Sequence, residues 1–207
     1  IFRDVYLYAI PEIHVRDMKI TADFNYKNGN GIFSAELDII GECDYSVKLT
    51  LTDLNGNKVY ESDKANVRAT IPSVRPWSAE EPNLYILTAE IIAGGRIVET
   101  AETKVGFRAF ELKNGLMYLN GKRIIFKGVN RHEFNAKTGR AITEEDMLWD
   151  IKFIKQNNMN AVRTSHYPNN SRWYQLCDEY GIYLIDETNL ESHGTWQKMG
   201  ACEPSIN

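Results

Sequence analysis

Residues 123–133 read RIIFKGVNRHE, and they follow a change in the periodicity of the chain near Gly106. The run Arg123–Asn130 is almost continuously apolar at its centre, which is typical of a strand covered on both faces. A polar cluster, Asn130-Arg131-His132-Glu133, follows it directly. We therefore predict a buried strand with polar side chains at its carboxyl end.

A helix is predicted next, beginning in the segment TEED at residues 143–146. Thr143 and Asp146 have the spacing of a capping box, in which each satisfies a free backbone N–H group of the first turn. Met147, Ile151 and Ile154 then recur at helical spacing and make one apolar stripe. The stripe predicts the face that packs against the sheet.

A second strand and a second helix follow along the chain. Ala161 and Val162 mark a short strand within NAVRTSHYP, and the helix is predicted at about 171–180. Its inner face is predicted to carry Trp173, Cys177 and Tyr180, with Gly181 in the left-handed position that ends many helices. The segment IYLID at residues 182–186 then predicts a third strand.

The resulting order β-α-β-α-β predicts parallel strands joined by crossover helices. Three parallel strands do not complete a domain, because such a sheet needs both faces covered and its edges managed. Residues 110–207 are therefore interpreted either as part of an open α/β sheet or as the first three β-strands and two helices of a (β/α)8 TIM barrel.

Residues 1–109 show the period of two that is typical of half-buried strands. Val47, Leu49 and Leu51 fall on one face of YSVKLTLT, and LYILTAEII alternates in the same way. Turn signals such as Asn55-Gly56 and Gly94-Gly95 separate the runs. Short strands at this spacing predict an all-β, immunoglobulin-like sandwich domain.

The bulk composition limits the class of partner. The chain has 207 residues and a formal net charge of −4, which argues against nucleic acid or an anionic membrane as partner. No apolar run approaches the roughly 20 residues of a membrane span. The three cysteines exclude a complete disulfide framework. The chain begins inside an apparent strand, without Met, and we interpret it as part of a longer protein whose compartment stays open.

Each of the three parallel strands is followed by a polar cluster, at residues 130–133, 163–167 and 186–194. The carboxyl ends of parallel strands meet at one edge, where active sites form in this class of fold. Structural alternatives stay open: Arg163 with Asp186 as a buried ion pair, His132 and His166 as core histidines, and Glu133 as a partner of Arg131.

Glu191 and His193 lie two residues apart after the third strand, within DETNLESHG. In an extended segment, residues at this spacing point to the same side, so a carboxylate and an imidazole can share one cation. A third ligand would have to come from elsewhere in the protein.

The segments GVNRHE, NAVRTSHYPN and LCDEYGIYLIDETNLESHG resemble glycoside hydrolase family 2. WSAEEPNLY and the run from Gly106 to Glu133 resemble the passage from sandwich to barrel in that family. The ending N-x-E-x-H-G, at residues 189–194, is similar to the β-galactosidase branch, because the related β-glucuronidases lack it.

The resemblance implies a role for each matching residue. His132 and His166, with Asn130 and Arg131, would contact the galactosyl ring, and Arg163 would keep the nucleophilic carboxylate ionised. Glu191 and His193 would bind Mg²⁺, and Asp186 and Glu187 would support the site. A Na⁺ ion is a further expectation for the full-length enzyme.

The implied reaction is retaining hydrolysis of a β-galactoside. Both catalytic glutamates of the family lie on later barrel strands, so we expect them after Asn207 and expect this chain alone to be inactive. A cytoplasmic homo-oligomer is expected for the whole enzyme, with the periplasm left open. The alternatives are a β-glucuronidase or β-mannosidase, and a non-catalytic carbohydrate-binding protein.

Overall fold

The computed structural model describes residues 2–190 and contains two compact units. One unit comprises Val5–Ile125 together with Asp178–Gly181. The other comprises residues 2–4, Phe126–Cys177 and 182–190. The predicted domains 1–109 and 110–207 divide the chain at another point, since residues 110–125 pack within the first unit, and that boundary stays a prediction.

The first unit contains two larger antiparallel sheets built from seven strands. The seven strands are β1 His14–Asn25, β2 Asn30–Ile40, β3 Ser46–Asp53, β4 Lys58–Ser62, β5 Asn66–Ile71, β6 Tyr85–Ala93 and β7 Arg96–Val105. They form a three-stranded sheet of order β1-β2-β5 and a four-stranded sheet of order β4-β3-β6-β7. The prediction of an all-β unit is confirmed.

Alternation along the strands builds the core of this unit. Val47, Leu49 and Leu51 are buried as predicted, while Lys48 between the first two is exposed. They share one apolar cluster with Phe33 and Phe107, whose rings lie 6.4 Å apart. Full burial of a large apolar side chain stabilises a fold by about 1.5–3 kcal/mol, so these residues hold the two sheets together.

A small antiparallel sheet follows in the same unit. Its strands are β8 Phe110–Lys113, β9 Leu116–Leu119 and β10 Lys122–Arg123. Asn120, in the turn after β9, accepts a hydrogen bond from the backbone N–H of Ala109 and donates one to the carbonyl of Trp77. These bonds attach the small sheet to the loops of the sandwich.

The second unit contains the parallel strands. Its elements are β11 Gly128–Arg131, α1 Glu144–Gln156, β12 Ala161–Thr164, the part of α2 Ser171–Tyr180 up to Cys177, and β13 Tyr183–Ile185. The strands pair in the order β11-β12-β13, and both pairings are parallel. The predicted β-α-β-α-β order is confirmed.

The first predicted strand of this unit was wrong in extent and in burial. The structure begins β11 at Gly128, where a Cβ atom would lie 2.6 Å from the carbonyl oxygen of Ala161. Close approach of two backbones favours glycine, and the pairing starts there. Ile125 and Val129 are exposed among the described residues, so this strand is not covered on both faces.

Both helices pack as their patterns predicted, with one exception. Thr143 and Asp146 form the capping box, and Met147, Ile151 and Ile154 are buried. Helix α2 buries Trp173, Leu176 and Cys177, whereas Tyr180 is exposed and does not belong to the inner face. Tyr180 stands in the last turn of the helix, and Leu176 takes the buried position instead. Gly181 has the predicted positive φ, 71°.

Candidate functional site

The carboxyl ends of β11, β12 and β13 bring their polar residues together. In the register of the sheet, Asn130 pairs with Arg163, and Arg163 pairs with Ile185, the residue directly before Asp186. The guanidinium of Arg163 lies at the centre. Its Nη1 donates to Asn130 Oδ1 and to Ser165 Oγ, both at 3.3 Å.

The other nitrogen of the Arg163 fork contacts Glu187. Nη2 donates to Glu187 Oε1 at 2.7 Å, and it also lies 3.2 Å from Nδ1 of His166. That imidazole nitrogen lies 3.1 Å from Glu187 Oε2. The ion pair between Arg163 and Glu187 is half-buried, so charge-assisted hydrogen bonds hold the side chains in place.

Asp186 does not pair with Arg163, although the sequence left that alternative open. The alternative of a buried ion pair between Arg163 and Asp186 was wrong, since the Asp186 carboxylate accepts from Thr164 Oγ1 at 3.1 Å and from the Tyr174 hydroxyl at 2.7 Å. Burial and, next, the bond to Asp186 raise the pKa of Tyr174 to about 12. Tyr174 therefore stays protonated and keeps donating at neutral pH.

The two histidines are not core residues. His132 is exposed and His166 is half-buried, and their rings meet edge to face with centroids 5.4 Å apart. The ring of Tyr167 lies 6.3 Å from that of His132. Two imidazoles and a phenol on an exposed edge are suited to binding a hydroxylated ligand.

Arg131 is placed differently from the residues around it. Its side chain is buried, with the guanidinium carbon 3.7 Å from the ring centre of Trp173. It donates to Asp150 Oδ2 at 2.8 Å and to Asn169 Oδ1 at 2.7 Å. A side chain enclosed in this way stabilises the packing of the second unit. Its buried position does not favour the predicted contact with substrate.

Glu133 is the residue whose surroundings the sequence did not reveal. Its side chain is completely buried, and Oε1 accepts from the backbone N–H of Asn170 at 2.7 Å. The guanidinium of Arg3 forms an ion pair with the same carboxylate, and Arg131 Nη1 lies 3.9 Å away. The suggested pairing with Arg131 is part of this larger cluster. Arg3 stands 130 positions earlier, and no local pattern indicates the contact.

The metal-ligating prediction lies outside the described residues, because Glu191 and His193 fall after residue 190. Among residues 2–190, no group of three His, Cys, Asp or Glu side chains is suited to hold a metal ion. Neither helix in the described part of the chain has the length and apolar content of a membrane crossing.

Comparison with known proteins defines the class. The family described as "Glycosyl hydrolases family 2" matches residues 13–108, and its "TIM barrel domain" matches residues 110–207. The chain belongs to glycosyl hydrolase family 2. It consists of the sandwich domain of that family followed by the start of its TIM barrel.

Particular relatives narrow the comparison. The chain is 56% identical to a protein named beta-galactosidase from Streptococcus thermophilus and 57% identical to one from Clostridium acetobutylicum. Both alignments cover 100% of this chain, but only 21% and 24% of the relatives. The chain thus spans about a fifth to a quarter of the length of these relatives.

Solved structures match the fold as well. The crystal structure of Ruminococcus gnavus beta-glucuronidase in complex with uronic isofagomine gives a TM-score of 0.80 at 27% identity. The match covers 87% of this chain and 29% of that chain. The fold is therefore shared with a protein whose printed name differs from that of the two relatives described above.

Proposed function

We propose that this chain is the sandwich domain and the first part of the catalytic barrel of a retaining β-galactosidase. The observation that carries the proposal is the cluster of Asn130, Arg163, His166 and Glu187 at the carboxyl edge of the parallel sheet. Identity of 56% over the whole chain to a protein named beta-galactosidase supports it. We also propose that the sandwich has immunoglobulin-type connectivity and that β11–β13 are the first three strands of a (β/α)8 barrel.

In this reaction one carboxylic acid protonates the leaving oxygen, and a carboxylate about 5 Å away attacks the sugar. The residues of this chain bind and orient. His132 and His166 contact ring hydroxyls, and Asn130 adds an amide. Arg163 holds the attacking carboxylate ionised, because a guanidinium nearby favours the charged form.

The two described glutamates that follow the parallel strands, Glu133 and Glu187, are not placed in the two catalytic roles. Glu133 is fully buried between arginines, and neither Glu133 nor Glu187 matches the positions of the catalytic glutamates in the family. We therefore place the acid/base and nucleophile glutamates on barrel strands after Asn207, in the longer enzyme of which this chain is a part.

Magnesium is part of the proposal, bound by Glu191 and His193 with a third ligand from later in the enzyme. Mg²⁺ prefers oxygen ligands and keeps several waters, so the carboxylate fits the ion better than the imidazole does. When bound, it would supply positive charge beside the site. For the whole enzyme we likewise propose a Na⁺ ion, a homo-oligomeric state and a cytoplasmic location, with the periplasm as the alternative. Its proposed partners are β-galactosides, and neither nucleic acid nor a membrane is proposed as a partner.

The second candidate keeps the reaction and changes the sugar. Structural similarity to beta-glucuronidase favours it, and a β-mannosidase belongs to the same alternative. The sequence Asn189-Leu190-Glu191-Ser192-His193-Gly194 supports the galactosidase instead, because it resembles that branch of the family.

The test compares aryl glycosides on the full-length enzyme and on this chain. We expect the enzyme to prefer a nitrophenyl β-galactoside over the glucuronide and the mannoside, and we expect no turnover by the chain alone. Arg163→Lys keeps the charge but loses the planar fork. It is expected to lower kcat/KM on the order of a hundredfold. A preference for the glucuronide would contradict the galactosidase proposal and favour the second candidate. Turnover by the pure chain would contradict the placement of the catalytic glutamates after Asn207.

A further inference from the structure

Arg163, His166 and Glu187 contact one another, and two of the three contacts share Nδ1 of the His166 ring. Glu187 uses one carboxylate oxygen for Arg163, at 2.7 Å, and its other oxygen lies 3.1 Å from His166 Nδ1. Arg163 Nη2 lies 3.2 Å from the same Nδ1. Both charged groups therefore compete for a single ring nitrogen.

The two contacts require opposite states of Nδ1. A guanidinium only donates, so a bond from Arg163 needs a lone pair on Nδ1, whereas a carboxylate only accepts and needs a proton there. Nη2 already donates to Glu187 Oε1 at the shorter distance. Either bond at Nδ1 would be charge-assisted, but Nη2 is already engaged by Glu187, and the free carboxylate oxygen lies slightly closer to Nδ1, at 3.1 Å against 3.2 Å. The carboxylate is thus the better partner for Nδ1.

The position of Glu187 is itself held from the neighbouring strand. Its backbone N–H donates to Thr164 Oγ1 at 2.8 Å, and Thr164 is fully buried. The same hydroxyl donates to Asp186, so the chain after β13 is anchored at two successive residues. Since the backbone is anchored, the carboxylate is directed at Arg163 and His166.

From this geometry we propose that Glu187 is a positioning residue that fixes His166 in the tautomer protonated at Nδ1. Nε2 then carries the lone pair and accepts a hydrogen bond from a sugar hydroxyl. This inference rests on the proposed function for the role of His166 towards substrate. Within residues 2–190, the charged and titratable groups that face His166 include Arg163 on β12, Glu187 after β13 and His132 after β11.

The tautomer can be read directly from this chain by nuclear magnetic resonance. Long-range ¹H–¹⁵N correlation of ¹⁵N-histidine-labelled chain distinguishes a protonated ring nitrogen from one with a lone pair. The spectrum is recorded at about pH 8, above the ordinary histidine pKa of about 6.5. His166 is assigned from the signals lost in His166→Asn. We expect Nδ1–H in the unsubstituted chain.

Glu187→Gln is the decisive variant, because the amide keeps the shape and can donate into Nδ1. We expect the proton of His166 to move to Nε2. The matched control is Asp186→Asn, which alters the adjacent carboxylate that binds Thr164 and Tyr174, and it is expected to leave the tautomer unchanged. An unsubstituted chain protonated at Nε2, or a Glu187→Gln chain still protonated at Nδ1, overturns the proposal. The first of these outcomes is measured on the unsubstituted chain, so it does not depend on the folding of a variant.

Kinetics of the full-length enzyme supply the second measurement. Glu187→Gln is expected to lower kcat/KM by about 10- to 100-fold, as expected for one mispaired hydrogen bond. The loss should be smaller in a His166→Asn background, because the part of it that passes through the contact between Glu187 and His166 is already absent there. Equal losses in both backgrounds would overturn the role towards substrate. If the tautomer result holds in an enzyme that prefers another sugar, the galactosidase proposal fails and the positioning role stands.

Discussion

The buried carboxylate of Glu133 accepts a hydrogen bond from the backbone N–H of Asn170, with 2.7 Å between Oε1 and the nitrogen. The bond joins the loop after β11 to the residue directly before α2. A negative charge is favoured near the amino end of a helix, where backbone N–H groups lack partners. Arg3 and Arg131 supply the compensating positive charge, so the cluster fixes the two loops that carry His132 and His166.

Glu133→Gln is expected to destabilise the unit with the parallel strands by about 3 kcal/mol, because it leaves buried positive charge without its partner. Urea unfolding, combined with amide hydrogen exchange at β11 and β12, measures the change. Glu145→Gln, which alters an exposed residue of α1, is the matched control and should stay within about 0.5 kcal/mol. Equal stability of the two variants would show that Glu133 does not hold the loops.

Gly31→Ala is expected to destabilise the sandwich by about 1–3 kcal/mol, the usual effect of overpacking a core. A Cβ atom at this position would lie 2.6 Å from Cε1 of Phe107, whose ring is fully buried. Chemical unfolding with hydrogen exchange at β2 reports the loss. Ser34→Ala on the same strand is the control. A gain of stability in Gly31→Ala would mean that the ring moves away freely.

Asp146 makes the stability of α1 depend on pH. Its backbone hydrogen bond with Thr143, followed by its bond from Asn135, holds the pKa of the Asp146 carboxyl below the ordinary value of 3.8. A lowered pKa in the folded state means that the unfolded chain takes up the proton first as pH falls. The contribution is therefore fully present above pH 3.8 and is lost as pH falls through the lower, folded-state pKa.

Asp146→Asn should accordingly make the free energy of unfolding depend less on pH in the acid range. The free energy of unfolding of the unsubstituted chain and of the variant is measured as a function of pH, and the difference between them should shrink below pH 3.8. Glu145→Gln serves again as the control on the same turn. A difference that stays constant down to acid pH would exclude the carboxylate of Asp146 as its source.

Glu191→Gln in the full-length enzyme is expected to weaken the dependence of activity on Mg²⁺, because a neutral amide oxygen binds a hard cation less well than a carboxylate does. Activity is titrated against free Mg²⁺, and the midpoint should move to higher concentration. In Glu145→Gln the midpoint should not move. An unchanged curve in Glu191→Gln would contradict the proposal that this residue binds Mg²⁺.

Local patterns predicted most of the elements correctly. The alternation of Val47, Leu49 and Leu51 and the stripe of Met147, Ile151 and Ile154 both match buried faces. Each is a comparison between residues a few positions apart, where the period of a strand or helix decides which side chains share a face. Tyr180 departed from its pattern because the end of α2 exposes that position.

Partners in the site could be predicted less well. Asp186 and Glu187 follow β13 directly, and successive residues of a strand point to opposite sides. The choice of which one faces Arg163 depends on the register between β12 and β13, which pairs Arg163 with Ile185. The sequence suggested Asp186 as a partner of Arg163, whereas in the structure Arg163 pairs with Glu187.

The sequence by itself determined the family of this chain, the order of its elements and the collection of polar residues after three strands, because these follow from local periodicity and from long motifs. Only the tertiary structure decided that Arg131 is enclosed against Trp173, that Arg3 reaches Glu133 and that Glu187 holds His166. Those contacts join residues from separate strands and loops. Their partners depend on strand register and on the need to pair each buried charge, neither of which has a signature along the chain.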